Sequence, residues 1–134
     1  METFATTCRI ELWRTLLILC INKGYSITQY DIKNAFIHAE IVIEIYITLP
    51  TGLCTDEKFK NKVGKLNKAL YGLKQSPRLW YQYLNKILKE LGFTTCPHDE
   101  AVFIQVSTGI IILGHVDDFL IFFKDWKRIR IIRK

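Results

Sequence analysis

Two segments of the chain repeat apolar side chains at the three-to-four-residue spacing of an amphipathic helix. Residues 11–22 follow this period, and Gly24 is a plausible end for that helix. A second helix is predicted over residues 76–91, because Ser76 can cap a helix and Pro77 is favoured at the first helical position. A glycine directly after this stretch can end the helix. Both helices are predicted to bury one face.

Other segments carry the alternating or continuous apolar pattern of β-strands. Residues 25–30 alternate and lead directly into Asp31, whereas the polar, lysine-rich residues 54–62 have no period and predict a surface loop. Further strands are predicted at 41–48, 63–66, 101–106, 110–113 and 119–123. Because helices and strands are mixed without regular βαβ alternation, the predicted fold class is α+β.

The amino-acid composition indicates which class of protein this is. A chain of 134 residues with 49% hydrophobic and 24% charged residues is typical of one globular domain. No apolar run approaches the roughly 20 residues that span a bilayer, and the N-terminus lacks the basic start of a signal peptide. The four cysteines are scattered, so zinc binding and a disulfide framework are not expected. We therefore expect an intracellular protein, cytoplasmic or nuclear, that makes no membrane contact.

The net charge of +6 is concentrated at the C-terminus. Residues 124–134 hold six Lys or Arg and one Asp, which leaves 13 basic against 12 acidic residues, about +1, for positions 1–123. Such a basic segment can attract the phosphate backbone of nucleic acid through counterion release.

The most informative local feature is the acidic pair Asp117-Asp118, set between the apolar runs 110–113 and 119–123. Two apolar segments around a short polar break predict a hairpin with the acids at its turn. Adjacent carboxylates repel each other, so a bound cation is an attractive explanation, and oxygen ligands suit Mg²⁺ or Mn²⁺. A solvated turn is the alternative, since Asp is common in turns.

Two further pieces share the chemistry of this pair. Asp31 ends a predicted strand, and residues 71–77 form a glycine-bearing loop that runs into the second helix. If the strand that ends at Asp31 is a neighbour of the hairpin, three carboxylates meet at one edge of a sheet. Such a group could hold two Mg²⁺ ions for phosphoryl transfer.

These segments carry a close resemblance to a known family. The stretches QYDIKNAF, ALYGLKQSPRLWY and HVDDFLI resemble, in that order, the motifs of copia-type retrotransposon reverse transcriptases, and METFA, EIYITLPTG and LKELGF add support. The resemblance covers roughly residues 1–124. It implies the palm of a right-hand polymerase, a small antiparallel sheet backed by helices, as a partial domain over residues 1–123, truncated at both ends, with 124–134 as a basic tail.

The resemblance also implies roles for ten residues. The catalytic, metal-binding carboxylates would be Asp31, Asp117 and Asp118. Asp31 and Asp117 would bridge or flank two Mg²⁺ (or Mn²⁺) ions, with Asp118 as the less constrained third member. Contacts to the incoming nucleotide would come from Ile32, Phe36, Tyr71, Gly72 and Lys74, and contacts to nucleic acid from Arg78 and His115. Without the family resemblance, the pattern favours other roles for some of these residues. Phe36 is then a candidate core residue, and Lys74 and Arg78 are candidate solvated charges. Trp80 is expected to pack in the core.

The activity implied is RNA-templated DNA synthesis, in which a primer 3′-hydroxyl attacks a deoxynucleoside triphosphate. Its partners would be an RNA or DNA template-primer, the nucleotide and the remaining parts of a retrotransposon polyprotein. His115 stands where the family usually has Tyr, and segments matching fingers, thumb and RNase H are not recognised. The alternatives are an inactive transposon remnant that binds nucleic acid weakly, and a metal-dependent nuclease.

Overall fold

The computed structural model of the chain describes residues 7–54 and 56–129. Its main feature is a five-stranded antiparallel sheet in the order β1-β7-β6-β5-β4, beside a two-stranded ribbon of β2 and β3. The strands are β1 Ser26–Asp31, β2 Tyr46–Thr48, β3 Val63–Lys65, β4 Thr94–Cys96, β5 Asp99–Gln105, β6 Ile110–His115 and β7 Asp118–Phe123. The helices are α1 Ile10–Asn22, α2 Thr51–Cys54, α3 Ser76–Glu90 and α4 Trp126–Ile129, with 3₁₀ turns at Ala35–His38 and Glu57–Phe59. The predicted α+β class is confirmed.

The large sheet separates two apolar clusters. On one face, Phe119, Ile121 and Phe123 of β7 pack with Trp80 and Leu88 of α3. On the other face, a smaller cluster contains Phe122, Leu113, Val102 and Cys20, and α1 packs against it. Strand β7 therefore contributes to both clusters, which explains why its sequence is apolar on both faces after the initial Asp.

Both long helices lie where the apolar period predicted them, but the predicted capping role of Ser76 is wrong. Gln75 is the N-cap residue and makes no side-chain capping bond. Ser76 is instead fully buried, where its hydroxyl accepts from the Leu70 amide at 3.1 Å and donates to the Leu70 carbonyl at 2.6 Å. This side chain fixes the loop that precedes the helix rather than the helix end.

The strand predicted over residues 41–48 is shorter than its alternating pattern indicated. Only Tyr46–Thr48 is paired as a strand, because β3 offers three residues for pairing. Val42 and Ile43 are 89% and 60% exposed. The sequence pattern also missed one strand. Thr94–Cys96 pairs with β5 although no strand was predicted there.

Trp80 connects α3 to the hairpin between β6 and β7. Its side chain is 3% exposed, which confirms the expected core position, and its Nε1–H donates to the Val116 carbonyl at 2.8 Å. Val116 has a φ of +61°, a left-handed conformation that is strained for a β-branched residue. The indole therefore holds the turn in a conformation that the local sequence disfavours.

The segment that follows β7 is partly described. Helix α4 ends at Ile129, which is 2% exposed and belongs to the α3-side cluster. The rest of the predicted basic tail, residues 130–134, lies outside the described residues. No helix within the described segments is long and apolar enough to cross a membrane.

Replacing Ser76 by Ala is expected to lower the free energy of unfolding by about 1–3 kcal/mol, because the Leu70 amide and carbonyl lose their buried partner. Urea unfolding followed by circular dichroism measures this change. Ser107→Ala, in the exposed turn before β6, is the matched control and should change stability by less than about 0.5 kcal/mol. Equal effects of the two substitutions would contradict the assigned role of Ser76.

Replacing Trp80 by Phe is expected to destabilise the chain by about 2–3 kcal/mol, because the core loses volume and the Val116 carbonyl loses its donor. The comparison is Trp13→Phe on α1, where the indole donates no hydrogen bond within the described residues. Thermal and urea unfolding should show a loss at Trp80 that exceeds the loss at Trp13 by about 1–2 kcal/mol. A smaller loss at Trp80 would show that the hydrogen bond to the turn contributes little.

Candidate active site

Strand pairing places two of the three predicted acids side by side. Strands β1 and β7 are antiparallel neighbours, and Asp31 lies directly opposite Asp118 in their register. Directly opposed residues project from the same face with Cβ atoms about 5 Å apart. The expectation that the strand ending at Asp31 is a neighbour of the acidic hairpin is therefore met.

The third acid, Asp117, lies in the turn and is directed to a different element. Its main-chain carbonyl accepts from the Ile32 amide at 2.9 Å, which ties the turn to the end of β1. Its Oδ2 accepts from the Tyr71 hydroxyl at 2.9 Å. Asp118 has a different partner, since its Oδ1 accepts from Gln29 Nε2 at 3.2 Å. The two adjacent carboxylates thus diverge, and each is held by one neutral donor.

The described residues contain no group of three or more His, Cys, Asp or Glu side chains arranged to hold a metal ion. Their Lys–carboxylate ion pairs are Lys65 with Glu44 and Lys68 with Glu40, and they involve none of the three aspartates. Within the described part of the chain, no basic side chain forms an ion pair with Asp31, Asp117 or Asp118. Carboxylate oxygens are hard ligands, so the donor chemistry of Asp31 and Asp118 fits Mg²⁺ or Mn²⁺.

Tyr71 is placed over Asp117 by the loop that precedes α3. Its ring packs edge-on against Phe36, with centroids 4.3 Å apart and planes at 64°. Gly72 follows with a φ of +92°, a conformation that favours glycine. The hydrogen bond to the Asp117 carboxylate raises the pKa of Tyr71, and partial burial and the charges of Asp117 and Asp31 act in the same direction.

The structure gives Phe36 and Tyr71 different exposures. Phe36 is 5% exposed and belongs to the α3-side core, as its core alternative indicated, whereas Tyr71 is 50% exposed. A ligand that approaches this edge therefore meets the Tyr71 ring before the Phe36 ring. The sequence gives both residues the same predicted role and does not separate them.

Two of the other predicted contacts lie at the same edge, since the Ile32 amide bonds the Asp117 carbonyl and His115 pairs with Asp118. Lys74, Arg78 and His115 are exposed, and Ile32 is partly buried beside Asp31. His115 ends β6 and pairs through its main chain with Thr7 in an isolated antiparallel bridge. All three side chains are accessible, which a nucleic-acid contact requires.

Two features of the site were not predicted. Gln29, the donor to Asp118, lies two residues before Asp31, and residues two apart in a strand share a face, so the spacing could have revealed it. An apolar cleft of about 430 Å³ also separates α3 from the sheet, and Asp31 lies on its wall. His38 lines this cleft, where its ring stacks on Tyr83 with centroids 6.5 Å apart. No sequence pattern indicated that cleft.

Comparison with known proteins identifies the family. A sequence model described as Reverse transcriptase (RNA-dependent DNA polymerase) matches residues 1–134. The retrovirus-related Pol polyprotein from transposon TNT 1-94 of Nicotiana tabacum is 37% identical over 127 residues, which cover 92% of this chain and 10% of that protein. The corresponding polyprotein from transposon RE1 of Arabidopsis thaliana is 37% identical over 122 residues, or 90% of this chain and 8% of that protein.

A yeast protein is similar to a smaller share of the chain. The truncated transposon Ty1-A Gag-Pol polyprotein of Saccharomyces cerevisiae is 36% identical over 112 residues, covering 83% of this chain and 9% of that protein. The chain thus spans about a tenth of the length of these polyproteins. No solved structure shows significant similarity to it. The predicted copia-type resemblance is confirmed, and the chain belongs to the reverse transcriptase (RNA-dependent DNA polymerase) family of retrotransposon Pol polyproteins.

Proposed function

We propose that the β1–β7 edge is the nucleotidyl-transfer site of an RNA-dependent DNA polymerase. The observation that carries the proposal is the pairing of Asp31 with Asp118, which sets two carboxylates side by side at the end of adjacent strands. Such an edge suits a reaction in which a primer 3′-hydroxyl attacks the α-phosphorus of a deoxynucleoside triphosphate. Pyrophosphate leaves as the new phosphodiester bond forms.

The acids would supply the ligands for divalent cations. Asp31 and Asp118 provide adjacent oxygen donors, Asp117 provides a third, and the Ile32 carbonyl is a further candidate. Two Mg²⁺ or Mn²⁺ ions held there would lower the pKa of the attacking hydroxyl and neutralise charge on the leaving oxygens. The general metal dependence of the family supports this assignment.

The surrounding residues would position the substrates. The Tyr71 ring and the Phe36 ring behind it would pack against the incoming sugar, and a bulky aromatic wall disfavours a 2′-hydroxyl. Gly72 allows the backbone of this loop to come close to the nucleotide. Lys74 and Arg78 are exposed cations that can reach phosphate oxygens, and His115 lies where the primer end would approach.

The partners follow from this chemistry. We propose an RNA or DNA template-primer and a deoxynucleotide as the substrates, and other parts of a Pol polyprotein as further partners. An intracellular site of action, cytoplasmic or nuclear, is part of the same proposal. The basic segment 124–134 would add salt-sensitive attraction to the nucleic-acid backbone.

Primer extension on an annealed RNA template with deoxynucleotides and Mg²⁺ tests the proposal. We expect extension by the chain and a loss of about 100-fold or more in Asp118→Asn, because small displacements of the reacting groups already reduce rates by that order. Asp56→Asn is the matched control, since Asp56 is an exposed acid far along the chain whose side chain caps a 3₁₀ turn. Its extension rate should equal that of the parent.

The outcomes separate the candidate functions. Equal extension by the parent and Asp118→Asn would exclude a role for this acid. A folded parent that extends nothing but binds the duplex without Mg²⁺, and loses binding with rising salt, would be the inactive remnant. Cleavage of the template without nucleotides would indicate the nuclease instead.

A further inference from the structure

We propose that Cys8 and Cys96 form a redox-sensitive thiol pair, which oxidation joins as a disulfide bond. Both cysteines are free thiols in the structure, and each is partly buried. Joining them would fasten the segment before α1 to the hairpin of β4 and β5. The proposal goes beyond nucleotidyl transfer and does not depend on it, so the two succeed or fail separately.

One carboxylate, that of Asp99, brings the two cysteines to the same place. Its Oδ2 accepts from the Arg9 amide at 3.1 Å, which holds the residue directly after Cys8 against the β4–β5 hairpin. Cys96 lies directly opposite Asp99 in the register of β4 and β5. Directly opposed residues project from the same face with Cβ atoms about 5 Å apart. The Asp99 side chain therefore has Cys96 as a cross-strand neighbour and the Cys8–Arg9 backbone as a hydrogen-bonded one.

The Cys8 thiol itself lies beside this carboxylate. It donates to the Arg9 carbonyl at 3.4 Å, and the Asp99 side chain is its second hydrogen-bond partner. Burial raises the pKa of the Cys8 thiol to about 11. Charge and hydrogen bonding from Asp99 and the charge of Cys96 raise this pKa further, whereas the main chain of Trp13 acts against them. Cys96 thus lies within electrostatic reach of the Cys8 sulfur, in agreement with the strand register.

The surrounding packing keeps the two thiols together. Both cysteines pack against the α1-side cluster around the fully buried Phe122. Asp99 is 8% exposed, and its Oδ1 accepts from the Ala101 amide at 3.0 Å. Two backbone amides therefore fix the carboxylate that the cysteines share. Cys20 belongs to the same cluster but is 3% exposed, so a dissolved oxidant has little access to it.

The oxidation is a thiol–disulfide exchange with glutathione disulfide as the oxidant. Cys96 is the first nucleophile, because the thiolate attacks and the raised pKa of Cys8 leaves little of that thiol ionised. The Cys96 thiolate bonds to one glutathione sulfur, and the other glutathione leaves as a thiolate. The Cys8 thiolate then attacks the Cys96 sulfur of this mixed disulfide, and the second glutathione leaves. Two protein thiols lose two electrons and two protons, which reduce one glutathione disulfide to two thiols.

Oxidation of the full chain by glutathione disulfide, once folded and once in concentrated urea, tests the pair. Mass spectrometry of non-reduced peptides identifies the linked cysteines, and circular dichroism shows that the first sample is folded. In urea, loop closure favours the Cys8–Cys20 link over the much longer Cys8–Cys96 loop by roughly 10-fold. We expect the order to reverse in the folded chain, because Cys20 is buried and the fold places Cys96 opposite Asp99.

A folded chain in which Cys8 stays free, or in which Cys8–Cys20 remains the main link, would overturn the proposal. Cys54→Ser is the matched control, because it removes a cysteine that is not part of the pair. This variant should form the Cys8–Cys96 link to the same extent as the parent. Loss of the link in Cys54→Ser would also overturn the proposal, since the bond would then arise by exchange through Cys54 rather than from the placement of the two thiols.

Single substitutions separate the roles of the two thiols. In Cys8→Ser, the mixed disulfide between Cys96 and glutathione should accumulate, because the thiol that resolves it is absent. In Cys96→Ser, Cys8 should carry about 10-fold less glutathione, because little of its thiol is ionised. Equal amounts of the adduct in the two variants would contradict the assigned order of attack.

Thermal unfolding shows whether the fold accommodates the bond. A link between Cys8 and Cys96 closes a loop of about 90 residues in the unfolded chain, which lowers the entropy of that state. We expect the unfolding midpoint of the oxidised chain to lie about 10 °C above that of the reduced chain, and dithiothreitol to restore the lower value. A midpoint that falls on oxidation would overturn the proposal, because the fold would then have to distort to bring the sulfurs together.

Discussion

The antiparallel pairing of β1 with β7 is the constraint on which the rest of the site depends. Register in a sheet is specified where faces are buried, because a slip of one residue would exchange the two faces of a strand. Phe122 and Phe123 are both fully buried, on opposite faces, so β7 cannot slip. The apolar end of the strand thus fixes the acidic end, and Asp118 is held opposite Asp31.

A second constraint acts on the turn that separates the two strands of the hairpin. Val116 adopts a left-handed conformation that a β-branched residue disfavours, and Trp80 holds it there through the carbonyl. The same helix begins at Ser76, which fixes the loop carrying Tyr71. One element, α3, therefore positions the turn with Asp117 and the donor that binds Asp117. Packing of this helix and geometry of the acids are coupled.

The sequence predicts most of the fold because the strongest signals are local. The apolar period over residues 76–91 and the apolar runs around Asp117 each report one buried face, and each appears as an element in the structure. The prediction over 41–48 is wrong in extent because alternation describes a strand but not its partner, and β3 pairs with three residues. The short strand at Thr94–Cys96 was not predicted, because its pairing with β5 makes it a strand and its composition does not.

The sequence predicts which residues belong to the candidate site, but it does not predict how their side chains are arranged. The motif resemblance names Asp31, Asp117 and Asp118 as one group. Neighbouring residues in a strand point to opposite faces of the sheet, so Asp117 and Asp118 could share one site only if the chain turns between them. Here the turn lets Asp117 reach Tyr71, while Asp118 stays on the strand beside Asp31. A motif names residue types and their order along the chain. The structure adds the partner of each acid, since Tyr71 binds Asp117 and Gln29 binds Asp118.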